Sequence, residues 1–218
     1  SHEIRTPLNA IVGFSSLLAN TEDVAEKELY NSLISHNNEL LLNLVNDVLD
    51  LAKIESGYFE LHPNWFNLTE LLEESVAEYA CQVPSGVELR TNYPEQDFLV
   101  DLDRLRIKQV LNNFLSNAFK NTSFGYIEVF YEVASHYVRI GVRDTGGGIP
   151  QNMQDKIFER FEKVDSFAQG AGLGLSICKS IVDKMNGRIL IDSQLGAGST
   201  FVVELGSVVN LGGLTSVN

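Results

Sequence analysis

Residues 103–121 read DRLRIKQVLNNFLSNAFKN, and their apolar side chains recur at the spacing of an amphipathic α-helix. With successive side chains about 100° apart, Asn113, Asn117 and Lys120 share one face of this helix. Amide oxygens can ligate Mg²⁺ and an ammonium group can meet phosphate oxygens, so this face could hold a metal-bound polyphosphate. A solvated polar face is the simpler alternative. The opposite face carries apolar residues at Ile107, Leu111, Leu115 and Ala118.

Two glycine-rich turns follow farther along the chain. Residues 144–150, DTGGGIP, come directly after a predicted strand, and residues 170–175, GAGLGL, lead into a predicted helix. Glycines in front of a helix let a phosphate approach the free N–H groups and the positive end of the helix. No Gly-Lys-Ser/Thr follows either turn, which excludes a P-loop of the Walker type. Taken alone, each turn is also consistent with a flexible loop.

The chain starts with a histidine beside a carboxylate. In residues 1–8, SHEIRTPL, the side chains of Ile4 and Leu8 point to one face of a predicted helix, whereas His2 projects away from that face and Thr6 follows it. An exposed imidazole next to Glu3 is a plausible nucleophile, because the carboxylate can take or orient one ring proton while the other nitrogen attacks. An exposed histidine without any such role is the alternative.

The first 57 residues predict two helices and a way for them to associate. The first helix ends at a polar break over residues 20–23, and the second runs from about Ala25 to Glu55, with Gly57 as its terminating glycine. The second helix carries a wide apolar stripe, too wide for one partner helix. We therefore predict that two hairpins pack as a dimeric four-helix bundle, which makes the protein a homodimer. The stripe consists of Tyr30, Ile34, Leu41, Leu44, Val48 and Leu51.

The remainder predicts an α+β architecture. Residues 58–67 contain proline and aromatic side chains and are expected to form a linker, and residues 207–218 are expected to be a loose tail. Residues 68–206 predict an α/β sandwich with helices on one face of a mixed sheet. The predicted strands are 87–93, 127–133, 137–143, 188–193 and 199–205, and the predicted helices are 70–82, 103–121 and one between Gly174 and Gly187.

Composition excludes several classes of function. The 218 residues include 29 acidic and 16 basic side chains, which gives a net charge of −13. Non-specific nucleic-acid binding needs a basic surface, so nucleic acid is not an expected partner. No apolar run exceeds three residues, so we expect no membrane contact by this segment. Cys81 and Cys178 lie far apart, match no metal spacing and indicate a reduced, cytoplasmic compartment.

Together these segments resemble the sequence boxes of sensor histidine kinases, which belong to a superfamily with gyrase and the heat-shock chaperones. The boxes follow in that family's order and spacing from residue 1 to about residue 205, and a joint match of this kind is highly specific. Residues 1–8 resemble the H-box, 113–120 the N-box, 144–149 the G1 box, 158–161 (FERF) the F-box, 170–175 the G2 box and 198–201 (GSTF) the closing strand motif.

The resemblance implies a role for each matched residue. His2 would be the phospho-accepting histidine and Glu3 its general base. Asn113 and Asn117 would hold Mg²⁺, and Lys120 would contact phosphate.

The remaining contacts to ATP are implied in the same way. Asp144 would accept a hydrogen bond from the adenine amino group, with Thr200 supporting it through water. Residues 151–169 would form a lid over the nucleotide, anchored by Phe158 and Phe161. The glycine-rich turns would shape the pocket, with Gly146 and Gly148 on the adenine side and Gly170, Gly172, Gly174 and Leu175 on the phosphate side.

The implied activity is autophosphorylation of His2 from ATP, followed by phosphoryl transfer to an aspartate of a response regulator receiver domain. Glu3 and Thr6 match a Glu-x-x-Thr pattern that accompanies phosphatase activity toward the regulator in this family. We also expect the first helix to extend upstream in a longer parent protein that is anchored in the cell membrane.

Two other functions compete with the kinase. ATP hydrolases of the gyrase and heat-shock chaperone group carry a glutamate four residues before the Mg²⁺ asparagine, where it activates water. This chain has Asn113 at that position, and an amide cannot accept a proton, which favours transfer over hydrolysis. The non-enzyme alternative is an ATP-binding or merely dimeric signalling scaffold. It predicts a degenerate box, and none of the boxes quoted above is degenerate.

Overall fold

A computed structural model describes the backbone of residues 2–134, 136–160, 172–206 and 209–211, and the side chains of residues 4–134, 136–160 and 172–206. An N-terminal helical hairpin precedes an α/β domain. The elements in chain order are α1 (His2–Asn20), α2 (Val24–Glu55), β1 (Asn64–Asn67), α3 (Leu68–Ala80), β2 (Val87–Asn92), β3 (Phe98–Leu102), α4 (Arg104–Asn121), β4 (Gly125–Val133), β5 (Tyr137–Asp144), two 3₁₀ turns (Gln151–Met153 and Lys156–Phe158), α5 (Gly174–Lys184), β6 (Arg188–Gln194), β7 (Gly198–Gly206) and β8 (Val209–Leu211).

The hairpin forms where the local signals in the sequence place it. The Asp23 carboxylate caps α2 by accepting hydrogen bonds from the backbone N–H groups of Ala25 at 2.8 Å and Glu26 at 3.1 Å. Gly57 adopts a φ of 78°, and its N–H donates to the carbonyl of Ile54, which ends the helix. Among the described residues, no helix has the length and apolar character needed to cross a membrane.

The apolar stripe of α2 is divided between two environments. Leu44 is buried in the same apolar cluster as the core of the α/β domain, and Leu51 and Ile54 pack against that cluster. The α/β domain therefore covers part of the stripe that we expected a helical bundle to bury. Other large apolar side chains on the hairpin stay exposed, as is typical of surfaces that contact another protein. They include Ile4, Leu8, Val12 and Leu17 on α1, and Leu42, Val45, Val48 and Leu49 on α2.

The main sheet has five strands in the order β2-β4-β5-β7-β6. The β2–β4 pair is parallel and the other pairs are antiparallel, so the sheet is mixed as predicted. Helix α4 packs on this sheet through Phe114 and Leu115, which are buried. The centroid of the Phe114 ring lies 5.3 Å from the centroid of the Phe201 ring on β7. Burying the apolar face of α4 in this way leaves its polar face turned away from the sheet.

A second, three-stranded sheet differs from the prediction. Its order is β1-β3-β8, with both outer strands antiparallel to β3. β1 lies within the expected linker 58–67, and β8 lies within the expected loose tail 207–218. Phe66 of β1 pairs with Val100 of β3, and both side chains are buried. These strands form through pairing between distant segments, which no local pattern reveals.

We expect Gly198→Ala to destabilise the α/β domain by roughly 2–4 kcal/mol. Gly198 has a φ of 101°, and a Cβ there would lie 2.0 Å from the carbonyl oxygen of Asp144. Gly196→Ala is the matched control, because Gly196 has a φ of 81° but no atom within 4 Å of such a Cβ. The control should cost only backbone strain, about 1–2 kcal/mol. Urea unfolding measures the free energy of unfolding of both variants. Equal losses of this free energy would contradict the close approach at Gly198.

Candidate functional site

The polar face of α4 meets the start of α5. Asn117 Nδ2 donates a hydrogen bond to Asn113 Oδ1 at 3.2 Å, so the two amides are neighbours as their spacing predicts. A Cβ on Gly174 would lie 2.0 Å from Asn113 Nδ2, so a side chain at this position would displace the Asn113 amide. The N-cap residue of α5, Leu173, has no polar side-chain atom to occupy the first N–H groups. Two amides and a helix N-terminus therefore lie together, an arrangement that suits a phosphate and its cation.

Lys120 lies near the end of the same face, within electrostatic reach of α2. Loss of hydration lowers the pKa of its ammonium group, and the Asp47 carboxylate of α2 partly offsets this effect. Burial and the neighbouring Asp50 carboxylate raise the pKa of Asp47 to about 6, while Lys120 acts to lower it. The cation that the sequence assigns to phosphate thus also interacts electrostatically with a carboxylate of the hairpin.

Asp144 is the buried acid of the site and ends β5. Its Oδ1 accepts a hydrogen bond from the N–H of Gly146 at 2.8 Å. Burial raises the pKa of this carboxyl, while the N–H groups of Gly146 and Ser199 act to lower it. Backbone donors hold the carboxylate in place, so it offers a fixed acceptor to an amino group.

The structure does not bring Thr200 to Asp144, and Ser199 lies there instead. Ser199 pairs with Asp144 across β7 and β5, whereas Thr200 pairs with Arg143. Paired residues share a face of the sheet and successive residues alternate, so Thr200 lies on the opposite face. The motif GSTF contains two adjacent hydroxyls, and only the strand register distinguishes them.

The first glycine-rich turn packs tightly against its neighbours. The Gly147 N–H donates to the carbonyl oxygen of Asn121 at the end of α4, at 3.3 Å. A Cβ on Gly146 would lie 2.3 Å from that same oxygen, and one on Gly148 would lie 2.0 Å from the carbonyl oxygen of Gln194. Side chains are excluded at both positions, which lets the turn bridge α4 and the β6–β7 hairpin.

The predicted lid is described only over its first part, residues 151–160. Phe158 packs against the core. Its neighbour Ile157, which lies just outside the F-box, is buried more deeply. Phe161 and Gly170 lie outside the described residues.

The second glycine-rich turn is described from Gly172 onward. Gly172 adopts a φ of 66° shortly before α5 begins, and Leu175 in the first turn of α5 packs against the core.

The predicted phospho-acceptor lies at the start of α1. The backbone of His2 and Glu3 is helical, and their side chains lie outside the described set. Thr6 follows one turn later and is exposed.

Comparison with known proteins identifies both parts of the chain. Residues 1–57 match the His Kinase A (phospho-acceptor) domain, and residues 102–208 match the histidine kinase-, DNA gyrase B- and HSP90-like ATPase family. The chain is 36% identical over 218 residues to the autoinducer 2 sensor kinase/phosphatase LuxQ of Vibrio harveyi, covering 94% of this chain and 25% of that protein. It is also 36% identical to the sensor histidine kinase RcsC of Salmonella typhimurium, covering 94% of this chain and 22% of that protein. The chain thus spans a quarter or less of these relatives.

Solved structures agree with this assignment. Full-length ShkA in complex with AMPPNP superimposes with a TM-score of 0.76 at 31% identity, covering 98% of this chain and 46% of that one. Histidine kinase ThkA in complex with the response regulator protein TrrA superimposes with a TM-score of 0.71 at 30% identity. This match covers 94% of this chain and 59% of that one. This chain therefore belongs to the sensor histidine kinases and contains their phospho-acceptor domain followed by their ATP-binding domain.

Proposed function

We propose that this chain transfers the γ-phosphoryl group of ATP to His2 and then to an aspartate of a response regulator receiver domain. The observation that carries this proposal is the meeting of Asn113, Asn117 and Gly174 in a chain whose first helix carries His2. A nucleotide site and a phospho-acceptor helix in one chain are the two parts that a histidine kinase needs.

The residues of the site fit ATP with Mg²⁺. Asn113 and Asn117 would hold the ion, and Lys120 and the start of α5 would take the phosphates. Asp144 would accept a hydrogen bond from the adenine amino group, and Ser199, which pairs with Asp144, would support this contact. Among the described residues, no cluster of three His, Cys, Asp or Glu side chains could hold a metal ion. Bound Mg²⁺ would neutralise charge on the phosphates during transfer.

The transfer exchanges one bond to phosphorus for another. A nitrogen of His2 forms a bond to the γ-phosphorus while the bond from that phosphorus to the bridging oxygen breaks, and ADP leaves with the electron pair. Glu3 receives the ring proton. Positioning and charge neutralisation supply most of the rate in such reactions. Asn113 stands where a hydrolase would carry its general base, so water is not activated at this position.

We further propose that two copies of the hairpin pair through their exposed apolar faces as a four-helix bundle. The match of residues 1–57 to the phospho-acceptor domain supports this association. The response regulator in the ThkA complex supports a receiver domain as the second partner. In a longer parent protein anchored in the cell membrane, this segment would lie on the cytoplasmic side.

Incubation with γ-labelled ATP tests the proposed activity. Wild-type chain should become labelled, and His2→Gln should abolish the label because the attacking nitrogen is gone. His36→Gln is the matched control, since His36 is an exposed histidine of the same hairpin. The control should retain full labelling. Label on the His2→Gln variant would place the phospho-acceptor elsewhere.

Asp144→Asn should weaken ATP binding by roughly 2–4 kcal/mol, because an amide NH₂ would face the adenine amino group and one charged acceptor would be lost. Asp192→Asn serves as the control, because Asp192 is an exposed acid that pairs with Thr200 on the opposite face of the same sheet. Calorimetric titration measures both affinities. An unchanged affinity in Asp144→Asn would remove Asp144 from the adenine pocket.

A phosphatase activity toward the regulator is a second candidate, favoured by Thr6 one turn after His2 on an exposed face. There its hydroxyl could place a water molecule against an aspartyl phosphate. We expect Thr6→Ala to lower dephosphorylation of a phospho-regulator about 10-fold or more while autophosphorylation persists. Ser15→Ala, at an exposed position of the same helix, should change neither rate. Wild-type dephosphorylation by Thr6→Ala would disprove the role.

A further inference from the structure

A cavity of about 470 Å³ lies where the end of α2, residues 58–64 and the start of α4 meet. We call it the linker cavity. Sites that hold small molecules have volumes of roughly 300–1,000 Å³, so this cavity is large enough for one. Arg104 lines the linker cavity, and Asn117 of the nucleotide site lies about 20 Å farther along α4. The linker cavity is therefore separate from the site proposed for ATP.

The charged side chains of the linker cavity are mainly cationic. They are Lys53, Arg104, Arg106 and Lys108, against the carboxylates of Glu60 and Asp103. Both oxygens of the Asp103 carboxylate already accept hydrogen bonds from backbone N–H groups, Oδ1 from Arg106 and Oδ2 from His62. In the whole chain acidic side chains outnumber basic ones by 29 to 16, so the cavity reverses the charge balance of the molecule. An excess of cations in a concave surface attracts anions.

Two arginines of the lining are held in place while part of each guanidinium group stays unused. Arg104 uses only Nη2 to bind the Glu74 carboxylate, at 2.7 Å from each oxygen. The side chain of Arg106 donates through Nη1, to Asp50 Oδ2 at 3.0 Å among others, and lies over the Phe59 ring. Within the described part of the chain, the other N–H groups of both guanidinium groups have no hydrogen-bond partner. A guanidinium group fixed in this way can bind an oxyanion with little further ordering.

Lys53 and His62 add two more polar side chains to the lining. Both are exposed, and neither the ammonium group nor the imidazole has a hydrogen bond or ion pair to any residue that the structure describes. Tyr58 and Leu105 line the same cavity and are largely exposed. Unpaired cations next to exposed apolar side chains suit a ligand that is anionic at one end and apolar at the other.

We propose that the linker cavity binds a small organic phosphate. Arg104, Arg106 and Lys53 hold the phosphate oxygens, and Tyr58 and Leu105 cover the apolar part. A phosphate monoester offers three terminal oxygens and a charge of about −1.5 to −2 near pH 7, which suits three cations better than the single charge of a carboxylate. An acidic segment of another protein would need a larger surface than this cavity offers. The inference goes beyond the proposed kinase activity and does not depend on it.

Titration with phenyl phosphate tests the proposal, because this probe joins one phosphate to one aromatic ring. The whole chain is first saturated with Mg²⁺ and a non-hydrolysable ATP analogue, which fills the nucleotide site, and backbone amide signals are then followed by NMR. The signals of residues 53–64 and 103–108 should shift as phenyl phosphate is added. Inorganic phosphate lacks the ring and should bind about 3- to 10-fold more weakly.

Two variants test the lining. Lys53→Gln removes a charge that has no partner in the described protein, and Arg104→Lys keeps the charge beside Glu74 but loses the planar fork. Each should weaken the binding of phenyl phosphate about 5-fold or more. Lys27→Gln is the matched control, because Lys27 is an exposed lysine of the same helix, about seven turns before Lys53. The control should bind phenyl phosphate with wild-type affinity.

Three results would overturn the proposal. The first is that phenyl phosphate leaves the signals of residues 53–64 and 103–108 unchanged. The second is that Lys53→Gln and Arg104→Lys bind it as tightly as wild type. The third is that a glutamate-rich peptide shifts these signals when phenyl phosphate does not, which would make the linker cavity part of a protein docking surface.

Discussion

The packing of α4 against the five-stranded sheet is the constraint on which the rest of the molecule depends. Phe114 and Leu115 are buried on this face, and burial of each contributes roughly 1.5–3 kcal/mol. Because the apolar face is held, Asn113 and Asn117 can only point away from the sheet. The start of α5, the first glycine-rich turn and α2 all then approach α4 from its polar side. One amphipathic pattern thus supplies both the core and the surface on which the site is assembled.

The site owes its shape to close backbone approaches more than to side chains. At Gly146 and Gly148 a Cβ would fall 2.0–2.3 Å from a backbone carbonyl oxygen. The turn therefore packs closely against the elements it meets, with no room for a side chain at either position. The donors offered to a nucleotide are then positioned before it binds, which is what phosphoryl transfer requires of a protein.

Local patterns predicted the elements that local interactions determine. The helical spacing in α4 predicted the helix that covers the main sheet, and the alternation in β4 and β5 predicted two of the strands in that sheet. Pairing between distant segments decided the rest: β1, β3 and β8 form one sheet that no single segment reveals. The same limit applies within the site, because the choice between Ser199 and Thr200 is a matter of one residue in strand register. Likewise, the α2 stripe showed how much apolar surface needs covering but not that the α/β domain covers part of it.

The way this stripe is shared has a physical consequence. The side chains of the stripe that stay exposed, such as Val48, are apolar, and covering them would gain free energy without any change in charge. The docked part contains Asp47 and Asp50 as well, and a buried charge pair fixes orientation while adding little net stability, because desolvation offsets the attraction. The two parts of α2 therefore differ in kind: one presents apolar side chains to solvent, and the other is held to the α/β domain by polar contacts.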